Sequence, residues 1–224
     1  MTALLERRSR PTAVRLTEAP NRVLLHDIDW QTYLTIADSL PERRIRITYD
    51  RGEMEIMTVS TTHERFKSLA ATLIFVIAQA LNRDIANFGS FTHRRPKILK
   101  ALEPDCCFYI QHFPLVAGKT IIDLENDPAP DLAMEVEISR SLLNRLAILQ
   151  ALGVTEVWRV DPRSIRVLVL RENGYEEVDR SPSFPEIPLH EIVKWLAIGV
   201  AKGELVMARR AQSWIRSKIK KPKR

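Results

Sequence analysis

Residues 132 to 160 constrain the fold more than any other part of the chain. "LAMEVEIS" reads as a buried strand, "SLLNRLAILQAL" as an amphipathic helix, and "TEVWRVD" as a second strand. A strand, helix and strand of this combined length make a right-handed crossover between two parallel strands. Parallel strands are covered on both faces. The segment therefore predicts an α/β domain with helices packed on a sheet.

The remaining strands pair through tight turns, so the sheet is expected to be mixed. "RIRITYD" alternates with period two, and "EMEIM" follows Arg51-Gly52, which is a hairpin signal. Asp29 is placed to cap a short helix running to Leu40. "TTHERFKSLAATLIFVIAQALN" carries the strongest helical stripe, from Phe66 through Leu69, Leu73 and Ile77 to Leu81, with Thr61 and Glu64 at capping-box spacing. "DIANF" and "DCCFYIQ" read as further strands. Gly153 stands where a helix C-terminal glycine belongs. "SIRVLVLR" pairs back after Asp161-Pro162, Asn173-Gly174 marks another turn before "YEEV", and the chain is helical from about Leu189. Residues 1–20, with Pro11 and Pro20 and no periodicity, read as a loose arm. The domain is expected over 21–200, followed by a basic helix and tail over 201–224.

Net charge is +6, which suggests nucleic acid, but its distribution matters. From Leu205 to Arg224 there are eight basic residues and no acid, so +8 there against +6 overall leaves −2 for the rest. The basic character belongs to the tail, which reads either as a solvated helix with a basic end or as a phosphate-binding arm. The apolar run around Leu69 to Leu81 is too short and interrupted to span a bilayer, and "MTALLERRSR" has no apolar segment of signal-peptide length. Cys106 and Cys107 are adjacent and imply no disulfide framework. The expectation is a cytoplasmic protein with no membrane partner.

The strand at 132–139 carries a chemical problem. Leu132, Met134, Val136 and Ile138 share one face, and Glu135 and Glu137 share the other. Burying ionised carboxylates without partners is costly. A third acid, Asp105, opens the strand "DCCFYIQ" just after Pro104. Carboxylates from two adjacent strands can meet around one hard cation, and Mg²⁺ takes oxygen ligands while keeping several waters. Such an ion lowers the pKa of a bound water and steadies charge on a phosphate oxygen, which suits phosphodiester hydrolysis. Ion pairing is the alternative for the same residues: Glu135 with Arg145 or Arg159, and Glu137 at a solvated strand end. Spacing alone leaves both open.

"LEPDCCFYI", "PDLAMEVEIS" and "LGVTEVWRVDP", with "MTVSTTHE" upstream, resemble in order and spacing the Uma-two endonuclease family, within the PD-(D/E)XK restriction-endonuclease-like superfamily. The resemblance runs from about Tyr49 to Leu170. It implies a restriction-endonuclease-like core and a Mg²⁺-dependent (or Mn²⁺-dependent) DNA endonuclease. Asp105 falls on the superfamily's Pro-Asp aspartate and Glu135 on its second acid, both metal ligands. Glu137 falls where the superfamily usually has the lysine that handles the attacking water; some members carry a second glutamate there and let it handle the water, so Glu137 is expected to help place the nucleophile as well as to join the metal site. Glu64 matches a helical glutamate that many members add to the metal shell, although its capping position already accounts for it. His63 matches a histidine of the family. Arg145 falls where many relatives place a lysine; a guanidinium neutralises a phosphate oxygen but cannot act as a base at neutral pH. Its alternative role is an ion pair with Glu135 or Glu137. Trp158, Cys106 and Cys107 read as packing residues. Double-strand cutting needs two active sites, which makes a homodimer the expected assembly. A nuclease-like fold that binds nucleic acid or protein without cutting is the rival reading, favoured by the missing lysine and the near-neutral body.

Overall fold

Eleven strands, six α-helices and a short 3₁₀ helix (Pro96–Ile98) account for the regular structure of the computed structural model, which describes residues 22–40, 45–138 and 141–218. The arm at 1–20 and the final basic residues Lys220, Lys221, Lys223 and Arg224 lie outside the described residues. Strand β1 (Arg22–Leu25) leads to α1 (Trp30–Ser39), whose N-cap is Asp29, accepting from Thr32 N at 2.7 Å. Strands β2 (Ile45–Asp50) and β3 (Glu53–Thr58) form the expected hairpin. Its two-residue loop, Arg51-Gly52, has φ of 48° and 101°. Positive φ at both positions matches the twist of the strands, and glycine makes the second one free of strain.

Helix α2 (Thr61–Leu81) starts one residue earlier in its capping than the sequence suggests: Ser60 is the N-cap and accepts from His63 N at 3.1 Å. Glu64 therefore does not close a capping box with Thr61. Strands β4 (Ala86–Gly89), β5 (His93–Arg95), β6 (Lys100–Leu102) and β7 (Cys106–Tyr109) follow. The one-turn helix α3 (Phe113–Val116) precedes β8 (Leu132–Val136), α4 (Arg145–Leu152) and β9 (Glu156–Val160). β10 (Ile165–Arg171), β11 (Gly174–Val178), α5 (Leu189–Lys202) and α6 (Glu204–Lys218) complete the described chain.

The expected mixed sheet flanked by helices is present, and a second, antiparallel sheet stands beside it. A five-stranded antiparallel sheet runs β1-β3-β2-β6-β5, and a six-stranded sheet runs β11-β10-β9-β8-β7-β4. The β8–α4–β9 crossover produces the one parallel pair among the described strands, with Leu132 opposite Glu156 and Glu135 opposite Arg159. The short strands β5 ("HRR") and β6 ("KAL") have no apolar alternation to announce them. They exist by pairing with β2 and with each other.

The six-stranded sheet carries cores on both faces. On one side Met134, Val136, Trp158 and Val167 pack with α2, α5 and α6; on the other Ala133, Val157 and Leu168 pack with α4. Leu69, Leu73, Ile74 and Ile77 of α2 are fully buried, each contributing about 1.5–3 kcal/mol relative to exposure. Helix α6 is part of this core through Met207, Ala211 and Ile215. Gly199 of α5 lets the three helices meet closely: a Cβ there would stand 2.5 Å from Leu69 Cδ1 and 2.9 Å from Met207 Sδ. A third cluster, with Tyr33, Ile47, Tyr49 and Met54, joins α1 to the small sheet. Its opposite face turns Arg46, Thr48 and Glu55 toward the large sheet, and all three are buried.

Candidate functional site

Strand register builds the site. Across β7 and β8, Cys106 faces Met134. One step further, Asp105 comes opposite Glu135. Glu135 faces Arg159 across β8 and β9, and Arg159 faces Arg166 across β9 and β10. Four neighbouring strands thus line up two acids beside two arginines, at one end of the sheet. All four residues line a cavity of about 690 Å³ between the two sheets and α4.

Asp105 is buried and fully engaged. Its Oδ1 lies 2.8 Å from His63 Nε2 and its Oδ2 accepts from Val136 N at 2.7 Å. Arg46 Nε stands 3.5 Å from Oδ1. Burial pushes the Asp105 carboxyl up, but His63, the Val136 amide and the Arg145 charge outweigh it and hold it below the ordinary range.

Glu135 is held by Arg145, the first residue of α4. Arg145 Nη2 donates to Glu135 Oε1 and Oε2 at 2.8 Å, and Nε donates to Oε2 at 3.0 Å. The same guanidinium donates to Thr48 Oγ1 at 2.9 Å and to the Glu103 carbonyl at 2.8 Å. Burial, reinforced by neighbouring Asp105, raises the Glu135 carboxyl above its usual value despite Arg145. Burial works against the charge on Arg145, yet Glu135 more than offsets it and raises its pKa. Helix α4 starts at Arg145 rather than Ser141 because Asn144 caps it, accepting from Ala147 N at 3.2 Å. The preceding residues turn instead to buried Glu55, which accepts from Ser141 Oγ and from Leu142 N.

The structure does not gather the third acid with the first two. The strand stops at Val136, and Glu137 lies in the turn beyond it, paired with Arg159 and, at 2.8 Å, with Arg166. Among the described residues no group of three His, Cys, Asp or Glu side chains is disposed to hold a metal ion. Glu64 also stands off the cavity: it pairs with Arg46 at 3.4 Å and with Lys67 at 2.5 Å. Trp158 packs in the core and donates to buried Glu156 at 2.6 Å. Cys106 and Cys107 are buried thiols, and burial pushes Cys106 up to about 12.

Arg46, Thr48, Glu55 and Arg166 are site residues that sequence reasoning missed. The signal was present in "RIRITYD": alternation that puts Ile45, Ile47 and Tyr49 on one face leaves Arg46 and Thr48 on the other, and nothing local says that this polar face is buried.

Over residues 30–201 the sequence matches the profile of Uma2, described as "Putative restriction endonuclease". The chain belongs to the Uma2 family. Its fold is also similar to a crystal structure from Anabaena variabilis ATCC 29413 described as "a putative nuclease belonging to DUF820". That likeness has a TM-score of 0.51 at 19% identity, covering 75% of this chain and 99% of the other. No match was found among curated proteins. A Uma2 member is nuclease-like, so the donor set is weighed against a divalent cation. Mg²⁺ is commonly held by one or two carboxylates together with waters and substrate phosphates. Asp105 and Glu135, neighbours on adjacent strands in one cavity, fit that two-carboxylate pattern. Glu137 does not join them, and both oxygens of Glu135 are in the grip of Arg145.

Proposed function

We propose that this Uma2 protein is an endonuclease that hydrolyses DNA phosphodiester bonds with a divalent cation, Mg²⁺ or Mn²⁺, held by Asp105 and Glu135. The observation that supports it most is the register of β7, β8, β9 and β10, which puts two carboxylates next to two arginines inside one cavity. A cation held there would supply Lewis-acid stabilisation of phosphate charge and a more acidic water.

The chain's own residues do the positioning. His63 and the Val136 amide fix the two oxygens of Asp105. Arg145, anchored by Thr48 and the Glu103 carbonyl, neutralises Glu135 and presents a guanidinium to the cavity, where it can also face a phosphate oxygen. Arg46 adds a second positive charge beside Asp105. A water attacking phosphorus in line would form the new P–O bond as the bond to the leaving oxygen breaks, releasing its own proton to solvent while the leaving oxygen takes one up from solvent. A homodimer would bring two such sites to a duplex.

Nicking of supercoiled plasmid in Mg²⁺ or Mn²⁺ tests this reading. Wild type is expected to relax the plasmid and Asp105→Ala to lose at least about 100-fold in rate, the scale of an electrostatic group in a reacting centre. Cleavage that survives Asp105→Ala would place the chemistry elsewhere. One observation favours a second reading, a nuclease-like module that binds nucleic acid without cutting it: Glu135 and Glu137 are each saturated by arginine. DNA binding without nicking in either cation would establish that alternative.

A further inference from the structure

Arg159 and Arg166 sit directly opposite each other on antiparallel strands. Like charges in that position repel. Burial and the Arg166 charge pull the Arg159 pKa below its ordinary value. A single carboxylate, Glu137, bridges the two, and among the described residues it is the only acid paired with either. Two guanidinium groups on one carboxylate leave an excess positive charge. Both arginines keep access to solvent, with side chains 31% and 43% exposed, and both line the cavity. No other hydrogen bond occupies their remaining N–H groups among the described residues. Paired guanidinium forks match the oxygens of a phosphate.

Glu137 holds its place through the backbone as well as the arginines: its N–H donates to the Val160 carbonyl at 2.9 Å. The carboxylate is therefore delivered to the arginine pair from the turn after β8, where it stands in for an external anion. Strands are spaced by about 4.8 Å, so the arginine pair lies roughly 5–10 Å along the sheet from Glu135. That is within a few nucleotides of rise along one strand, at about 3.4 Å each.

We propose that Arg159 and Arg166 form a backbone-phosphate subsite beside the reacting centre, with Glu137 as a built-in counter-ion that the phosphate displaces. The inference rests on the nucleic-acid reading of the cavity but not on cleavage. It makes Glu137 a competitor of DNA.

Fluorescence anisotropy of a labelled DNA duplex in EDTA, across a salt series, tests the subsite without any metal. Each phosphate contact contributes about 0.9 to the slope of log K against log salt. Arg159→Gln/Arg166→Gln is expected to make the slope shallower by about 1–2 and to weaken low-salt binding at least about 10-fold. Glu137→Gln is expected to tighten binding several-fold, a direction that a merely structural role would not produce. Arg166→Gln alone, at the more exposed position, gives the same sign should the double variant fail to fold by circular dichroism. A wild type that binds with an unchanged slope in the folded arginine variants, or a folded Glu137→Gln that binds more weakly, overturns the subsite while leaving the cavity's nucleic-acid reading intact. A wild type that does not bind DNA at all overturns both.

Discussion

Replacing Arg145 with methionine removes the guanidinium that holds Glu135 and keeps much of its apolar stem. The loss is large because the partner is left behind: the Glu135 side chain is only 13% exposed, and Asp105 stands next to it. Breaking a buried pair costs about 3–5 kcal/mol. With Arg145 itself 15% exposed, some solvent reaches the pair, so the low end, about 3 kcal/mol, is expected. The double variant Glu135→Gln/Arg145→Met removes the stranded charge and should recover at least about 1.5 kcal/mol of that deficit, a coupling within the range for contacting residues. Acidity gives a second check. The folded Glu135 carboxyl already titrates above its ordinary value, so protonation favours the folded state. The Arg145→Met deficit should shrink as pH falls through that raised pKa and be fully present above it. A divalent cation gives a third: with Arg145 gone the cation alone neutralises Glu135, so Mg²⁺ at 100 times its Kd would restore about 2.7 kcal/mol to Arg145→Met and much less to the double variant. Urea unfolding followed by the fluorescence of the four tryptophans reads all three. An Arg145→Met protein as stable as wild type, or a double variant no better than the single one, would refute the idea that Glu135 is the costly group.

His93 is fully buried, and burial lowers its pKa from 6.5 to about 4. Stability is then intact above about pH 6.5 and is lost as pH falls toward 4, by about 3 kcal/mol in all at 1.36 kcal/mol per pH unit; the acid limb of the pH–stability profile should flatten in His93→Gln. Gly199→Ala drives a Cβ to 2.5 Å from Leu69 Cδ1 and should cost about 1–3 kcal/mol, visible as a lowered Tm. Deleting residues 205–224 would remove buried Met207, Ala211 and Ile215 and unfold the domain. The contribution of the basic helix is better measured by changing exposed Arg209, Arg210, Arg216 and Lys218 to Gln, which should lower the salt slope of DNA binding by up to about 3.6 if all four reach phosphates.

Much of the fold was legible in local pattern. The β8–α4–β9 crossover, the β2–β3 hairpin with its Arg51-Gly52 turn, helix α2 and the Asp29 cap all follow from periodicities and turn residues that act within a few positions. The two-sheet arrangement was not legible. β5 and β6 are three-residue strands whose sequences show no alternation, and pairing across 50 residues decides their state. The site divides in the same way. The residue types Asp105, Glu135 and Arg145 stood out as carriers of chemistry, with ion pairing to Arg145 as one of two open readings for Glu135.

What the sequence determined alone is the inventory: which side chains are charged, which strand carries two glutamates, and that a carboxylate pair in a core strand must find a partner. Which partner it finds was decided by the tertiary structure. Arg145, Arg159 and Arg166 reach the acids only because strand register and the packing of α4 bring them within about 3 Å, and in a low-dielectric cavity a difference of one strand position changes a repulsion into a salt bridge. No spacing rule along the chain encodes that choice, because it is set by the summed free energy of two sheets closing on one another.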